Sequence, residues 1–261
     1  MDKTTMTANY HTHTWRCNHA QEGEENYIRH AIARGLKTLG FSDHTPYPFP
    51  DGYCSGFRMR PELLPDYCQC VAGLQKKYAG QIEIVIGLEA EYYPRLFPQL
   101  LDRIRDTQVS YLILGQHFTD NETDGVYSGV PTEDPSVLKR YCAQTMDAMQ
   151  TGCFTYFAHP DLIRFIGDDG VYRQEMGRLF REAKGCGIPL EINFLGISTG
   201  RHYPSRRFLE LAAEESCDMI FGCDAHEPEA LSELETEEKA LALAREYGLN
   251  VLKTVPLRPI R

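Results

Sequence analysis

Residues 82–91 read IEIVIGLEAE, a short apolar run that closes on a carboxylate, Glu89. A run of this length and composition predicts a β-strand, and the same pattern recurs along the chain. Strands are expected at 6–13, 37–44, 83–91, 109–117, 153–159, 188–193 and 218–224. Residues 250–252 form either an eighth strand or a segment leading out of the fold. Amphipathic, helix-like segments lie between them at 24–34, 61–78, 94–106, 135–150, 171–184, 204–215 and 233–247. Pro61 and Pro135 stand where a first helical turn tolerates proline, and Gly35, Gly185 and Gly248 stand where a left-handed cap is wanted. Strand–helix alternation favours a parallel sheet. Seven units point to a closed α/β barrel of (β/α)7 or (β/α)8 type, with a doubly wound open sheet as the competitor.

The strand ends carry the chemistry. His11 and His13 end the first strand, His44 the second, Glu89 the third, His117 the fourth and His159 the fifth, while Asp224 and His226 end the seventh. In a parallel barrel all these ends share one face, where such folds build their sites. Residues two apart on a strand point to the same side, so both imidazoles of His11-Thr-His13 can reach one ion. The same holds for Asp224-Ala-His226. Imidazole and carboxylate donors without thiolate suit zinc, manganese or iron. So many donors exceed the needs of one ion, so two or three ions are expected, with a carboxylate such as Glu89 bridging.

The bulk properties bound the rest. The chain has 261 residues, 42% hydrophobic and 25% charged, long enough to bury a full core without disulfides. Its nine cysteines are scattered without a CxxC pair and read as free thiols in or near the core. A net charge of −10 argues against a general nucleic-acid binder. No run approaches a membrane span, and MDKTTMTANYH has no leader pattern, so a cytoplasmic protein is expected. No GxxxxGK[ST] loop, GxGxxG turn or CxxxxxR loop is present, which disfavours nucleotide-driven transfer and a cysteine nucleophile.

HTH at 11–13, His19, SDH ending at His44, GLE ending at Glu89, GQH ending at His117, AHPD from His159 and CDAH ending at His226 together resemble the polymerase-and-histidinol-phosphatase (PHP) superfamily over nearly the whole chain. YHTHTWRCNHA, FSDHTP, FRM at 57–59 and HPDL are similar to its histidinol-phosphate phosphatases. The resemblance implies a single domain over residues 1–261, a distorted (β/α)7 barrel that is TIM-barrel-like, with three divalent ions. It implies one ion on His11, His13, Glu89 and Asp224, a second on Glu89, His117 and His159, and a third on His19, His44 and His226. Glu91 shares a strand face with Glu89, and Glu89 is preferred because it matches the G-x-E spacing. The implied substrate is L-histidinol phosphate, hydrolysed to L-histidinol and phosphate by a metal-bridged hydroxide. Alternatives are a phosphatase or phosphodiesterase acting on nucleotides such as nucleoside bisphosphates, and a non-catalytic metal-stabilised module.

Other residues are weighed beside these. Asp224 and His226 are the candidate catalytic residues, Asp224 as a proton shuttle in addition to its metal role. Arg201 and His202, in TGRHYPSRR after the sixth strand, and Arg164, in HPDLIRF, are candidates for gripping phosphate through paired donors; Arg206 and Arg207 read as solvated loop charge. Asp161 and Glu191 could orient a ligand from behind or meet a substrate ammonium. Arg58 is either part of the rim or a structural ion pair. His30 reads as a packing or surface histidine, and Cys17 and Cys153 as thiols outside the ligand set.

Overall fold

The run around Glu89 becomes strand β3 (Glu83–Ala90) in the computed structural model, which describes residues 6–260. It lies parallel to β2 (Thr38–His44) over seven register pairs, ending with His44 beside Glu89. On its other side runs β4 (Tyr111–Leu114), with Glu89 level with Ile113. The remaining strands, β1 (Ala8–Asn9), β5 (Phe154–Phe157), β6 (Leu190–Asn193), β7 (Asp218–Gly222) and β8 (Asn250–Leu252), complete one parallel sheet in sequence order. The open-sheet alternative, with its reversal of strand order, is excluded.

Closure is uneven. Beyond β7, Ala225 pairs with Thr12 in parallel, the His13 amide donating to the Ala225 carbonyl at 2.9 Å. Lower down, β7 borders β8 instead, from Asp218 beside Asn250 to Ile220 beside Leu252. Thr7 Oγ1 donates to the Lys253 carbonyl, so the eighth strand fills the gap between β7 and β1 at the end away from the strand C-termini. This is a distorted barrel, seven strands round at the rim and eight at the base.

Helices α1 (Glu24–Arg34), α2 (Leu64–Lys77), α3 (Phe97–Ile104), α4 (Pro135–Gln150), α5 (Asp169–Gly185), α7 (Arg206–Glu214) and α8 (Leu234–Glu246) connect the strands. Their ends follow local chemistry. Pro135 opens α4 behind Asp134, whose carboxylate accepts from the Ser136 amide at 2.8 Å. Gly35 closes α1 at φ 92. Gly185 is instead the last residue of α5, and Gly187, at φ 62, takes the left-handed position. A short helix, α6 (Phe194–Ser198), follows β6 unannounced, capped by the Asn193 side chain on the Gly196 amide.

Two apolar layers hold the barrel. The larger lies between strands and helices; the smaller fills the barrel and includes Tyr10, Tyr111, Ile113, Tyr156 and Ile220. Tyr111 crosses the interior and donates to the Tyr10 carbonyl at 2.8 Å. It requires glycine at its neighbours, since a Cβ on Gly40 would stand 2.2 Å from its hydroxyl oxygen and one on Gly87 2.3 Å from its ring. Burying each such side chain contributes on the order of 1.5–3 kcal/mol. Among the described residues no helix is long and apolar enough to cross a membrane. Residues 1–5, part of the stretch read for a leader, lie outside the described residues.

Candidate metal centre

The rim above Tyr111 and Ile113 is polar and almost dry. His11, His13, His44, Glu89, His159 and Asp224 are all at most 5% exposed, an arrangement that charged side chains tolerate only when paired. The strands deliver them in two ways. His44 and Glu89 lie within β2 and β3, whereas His117, His159 and Asp224 come just after their strands end. His159 at φ 31 and Asp224 at φ 50 hold left-handed backbone that L-residues rarely adopt, and this turns both side chains inward. His19 enters from the loop after β1, behind Asn18 at φ 69.

Glu89 is at the middle. Its Oε2 lies 3.0 Å from His44 Nδ1 and 3.6 Å from Nε2 of both His11 and His13. Its Oε1 lies 2.8 Å from His159 Nε2 and 3.6 Å from His117 Nε2. Asp224 Oδ1 faces His13 Nε2 at 3.1 Å, His11 Nε2 at 3.4 Å and His226 Nδ1 at 3.5 Å. The His19 ring stands 4.5 Å from that of His226 and 5.3 Å from that of His44.

Many of these donor atoms have no hydrogen-bond partner although they are buried: Nε2 of His11, His13 and His226, Nδ1 of His44, and Oε2 of Glu89. Each unsatisfied buried polar atom costs about 1–3 kcal/mol, so a cluster of them aimed at one space calls for a bound cation. The donors also come in sets whose atoms lie within 4.8 Å of one another: His11, His13 and Glu89; His11, His159 and Asp224; His44, Glu89 and His117; His19, His44 and His226. Nitrogen and carboxylate donors in such sets fit divalent ions. Cys17, with His13 and His226, makes one further set.

The field within the cluster is strong. Burial would raise Glu89, but the imidazoles of His117, His44 and His11 hold it well below the usual carboxylate range. Burial and the neighbouring His13 charge push His226 down to about 3, leaving its ring neutral at pH 7. Burial also works against charge on His13, yet Asp224 and Asp43 outweigh it and raise His13 to about 9.

A second layer fixes the rings. Glu191 Oε1 sits 2.8 Å from His11 Nδ1, and its Oε2 accepts from the His159 amide and from Asn193 Nδ2. Asn193 also reaches Asp224 Oδ2 at 3.1 Å. Thus β6, the one strand of the first seven without a metal-type residue at its end, supplies the support for both neighbours. Glu91 takes His117 Nδ1 at 2.7 Å and is itself held by Arg58, which is an interior ion pair and not part of the rim. Asp43 accepts from the Thr14 hydroxyl and lies 3.6 Å from His13 Nδ1. Sequence reasoning overlooked Asp43 and Asn193; the signal for Asp43 was its place directly before His44.

Outside the cluster opens a cavity of about 430 Å³, walled by Phe57, Phe118, Tyr127, Leu162, Leu195 and Tyr203, with His19, His44, His117, His159, Asp224 and His226 at its base. The aromatic wall was missed, because its members come from loops without periodic signal. Arg201 lines this cavity, its Nη1 2.9 Å from the Tyr203 hydroxyl. His202 is turned away, its Nε2 on the Leu162 carbonyl at 2.9 Å, and Arg164 is exposed; neither lines the cavity. Asp161 accepts from the Ser205 amide at 2.6 Å, and His30 meets Ser232 Oγ at 2.9 Å. Arg206 pairs with Glu210, and Arg207 lies over the Tyr172 ring.

The model of the PHP domain family matches residues 9–194. The chain is 27% identical over 227 residues to a probable histidinol-phosphatase of Deinococcus radiodurans, covering 84% of this chain and 85% of that protein. It is 26% identical over 249 residues to a probable histidinol-phosphatase of Schizosaccharomyces pombe, covering 85% and 81%. Among solved structures it resembles the histidinol phosphate phosphatase of Lactococcus lactis complexed with zinc, L-histidinol and phosphate, with a TM-score of 0.71 and 22% identity over 96% of this chain and 98% of that one. At that identity the likeness speaks for the fold.

Proposed function

This chain belongs to the PHP domain family, and we propose that it is a metal-dependent phosphomonoesterase that hydrolyses L-histidinol phosphate to L-histidinol and phosphate. The observation that carries the reading is the Glu89 carboxylate ringed by imidazoles whose inward nitrogens are buried and largely without partners. The named relatives, which align over most of the chain, support the substrate.

Three ions are proposed, on His11, His13, Glu89 and Asp224; on Glu89, His117 and His159; and on His19, His44 and His226. The first two sets share Glu89, whose two oxygens face different imidazoles. When bound, such ions neutralise phosphate charge and lower the pKa of a water nucleophile. Water adds to phosphorus, the bond from phosphorus to the alcohol oxygen breaks, and that oxygen takes a proton. In the ion-free cluster His11 and His13 outweigh burial and hold Asp224 well below the usual carboxylate range. Its proposed part in catalysis, beside its metal role, is to pass on the proton that water loses. His226 beside it is the second catalytic candidate. Arg201 is proposed to grip phosphate from the cavity wall. Phe57, Phe118, Tyr127 and Tyr203 exclude water and offer faces for a planar or cationic leaving group. Residues 1–261 are proposed to act as one domain, since donors from His11 to His226 meet at one rim.

The test is elemental analysis of the purified protein together with turnover of histidinol phosphate, nucleoside bisphosphates and short oligonucleotides. Two or more ions per chain and preference for histidinol phosphate are expected. Full turnover after complete removal of the ions refutes the reading, as does no turnover with the ions in place.

A further inference from the structure

We infer that Arg58 is a positioning residue for the metal centre, locking the His117 ligand and the Phe57 wall of the cavity in one arrangement. Its side chain is only 2% exposed, so its role is set by what it touches. Two of its nitrogens clasp the Glu91 carboxylate, and the third, Nε, pairs with Glu122. Glu91 in turn takes the Nδ1 proton of His117 at 2.7 Å, which leaves Nε2 as the lone-pair nitrogen facing Glu89. The chain of contacts therefore runs from Glu122 through Arg58 and Glu91 to His117. A carboxylate without its cation would be free to rotate, and the imidazole would lose its fixed orientation.

The same guanidinium lies 4.4 Å from the centre of the Phe57 ring, a cation–π contact. Phe57 meets the rings of His19, His44 and His117 in edge-to-face arrangements. The Arg58 carbonyl accepts from Asn18 Nδ2 at 3.1 Å, tying in the loop that carries His19. Glu122 belongs to the loop that brings Phe118 and Tyr127 to the cavity, and it also accepts from the Tyr53 hydroxyl at 2.9 Å. One buried fork thus joins three loops, and only a planar group with several fixed donors can do so; an ammonium cannot hold both oxygens of Glu91 and reach Glu122.

This inference rests on the metal-centre reading above, and its experiment separates the two. Arg58→Lys keeps the charge and loses the fork; Arg34→Lys does the same in the buried Arg34–Glu237 pair, which lies away from the site. Each purified holoenzyme is assayed for melting temperature, ion content during titration with a chelator, and kcat and KM on histidinol phosphate. Arg58→Lys is expected to release ions at lower chelator and to lose roughly 10–100-fold in kcat, whereas Arg34→Lys loses melting temperature alone. A second variant, Glu91→Gln, removes the link between Arg58 and His117 and is expected to reproduce the loss of ions and kcat. If Arg58→Lys melts lower but keeps the chelator response and kcat of the unaltered enzyme, Arg58 is only structural and the inference fails. If the unaltered enzyme itself holds no ions or has no turnover, the underlying reading fails instead.

Discussion

Nδ1 of His11 lies 2.8 Å from Oε1 of Glu191, a residue 180 positions later in the chain, and both side chains are wholly buried. The contact determines which nitrogen of His11 faces the cluster. With Nδ1 donating its proton to Glu191, Nε2 is left as the acceptor, aimed between Glu89 and Asp224. The other Glu191 oxygen accepts from the His159 amide and from Asn193, so both oxygens of this carboxylate are engaged.

Replacing Glu191 by Gln is therefore expected to hurt in excess of its size change. An amide must present NH2 to at least one of three groups that already donate. Loss of roughly 10–100-fold in ion affinity or kcat/KM is expected, read by ion content after gel filtration and by steady-state kinetics. Unchanged values would remove Glu191 from the centre.

Ion binding is expected to release protons. His13 is raised to about 9 in the metal-free cluster, where Asp224 and Asp43 outweigh burial. Because the pKa is raised, the ring holds a proton at pH 7, and an arriving ion must displace it. Apparent affinity should rise with pH up to about 9 and then level off. Calorimetric titration of the apoprotein in buffers of different protonation enthalpy measures the release; affinity independent of pH through this range would contradict it.

Gly115 is a position where one methyl group matters. A Cβ there would stand 2.0 Å from Glu89 Oε1, and Glu89 is 1% exposed with imidazoles against both of its oxygens. Gly115→Ala is expected to cost about 1–3 kcal/mol and to abolish most activity, as followed by thermal melting and turnover. Gly73, exposed on α2 with nothing within 4 Å of its added Cβ, is the contrast. There, alanine should stabilise by about 0.5–1 kcal/mol with activity unaltered.

The arginines should divide by position. Arg201→Met removes a charged donor from the cavity wall. A charge-assisted hydrogen bond contributes about 1.5–3 kcal/mol, so KM for the phosphate ester should rise about tenfold or more. Arg164→Met, at the surface and off the cavity, should leave KM within about twofold. The reverse ranking in steady-state assays would move the phosphate grip to Arg164.

Much of this was legible from local pattern. The helices at Glu24–Arg34 and Pro135–Gln150 fall where periodicity, proline and glycine put them. Strand ends were read too long, because the residues leading to His117 and His159 leave the hydrogen-bonded ladder at Leu114 and Phe157, a departure that no local pattern marks. Short α6 escaped notice, since five residues carry too little periodicity to show.

What the amino-acid order determined by itself is the alternation of strand and helix and the kind of side chain at each strand end, both properties of neighbouring residues. Only the tertiary structure decided which groups stand behind those side chains. Glu191 supports His11, Arg58 is drawn inside by Glu91 and Glu122, Arg164 is left in solvent, and β8 fills the base of the barrel. The physical reason is that a carboxylate or guanidinium takes its role from the charges and burial around it, and those arise between segments that meet only when the sheet closes.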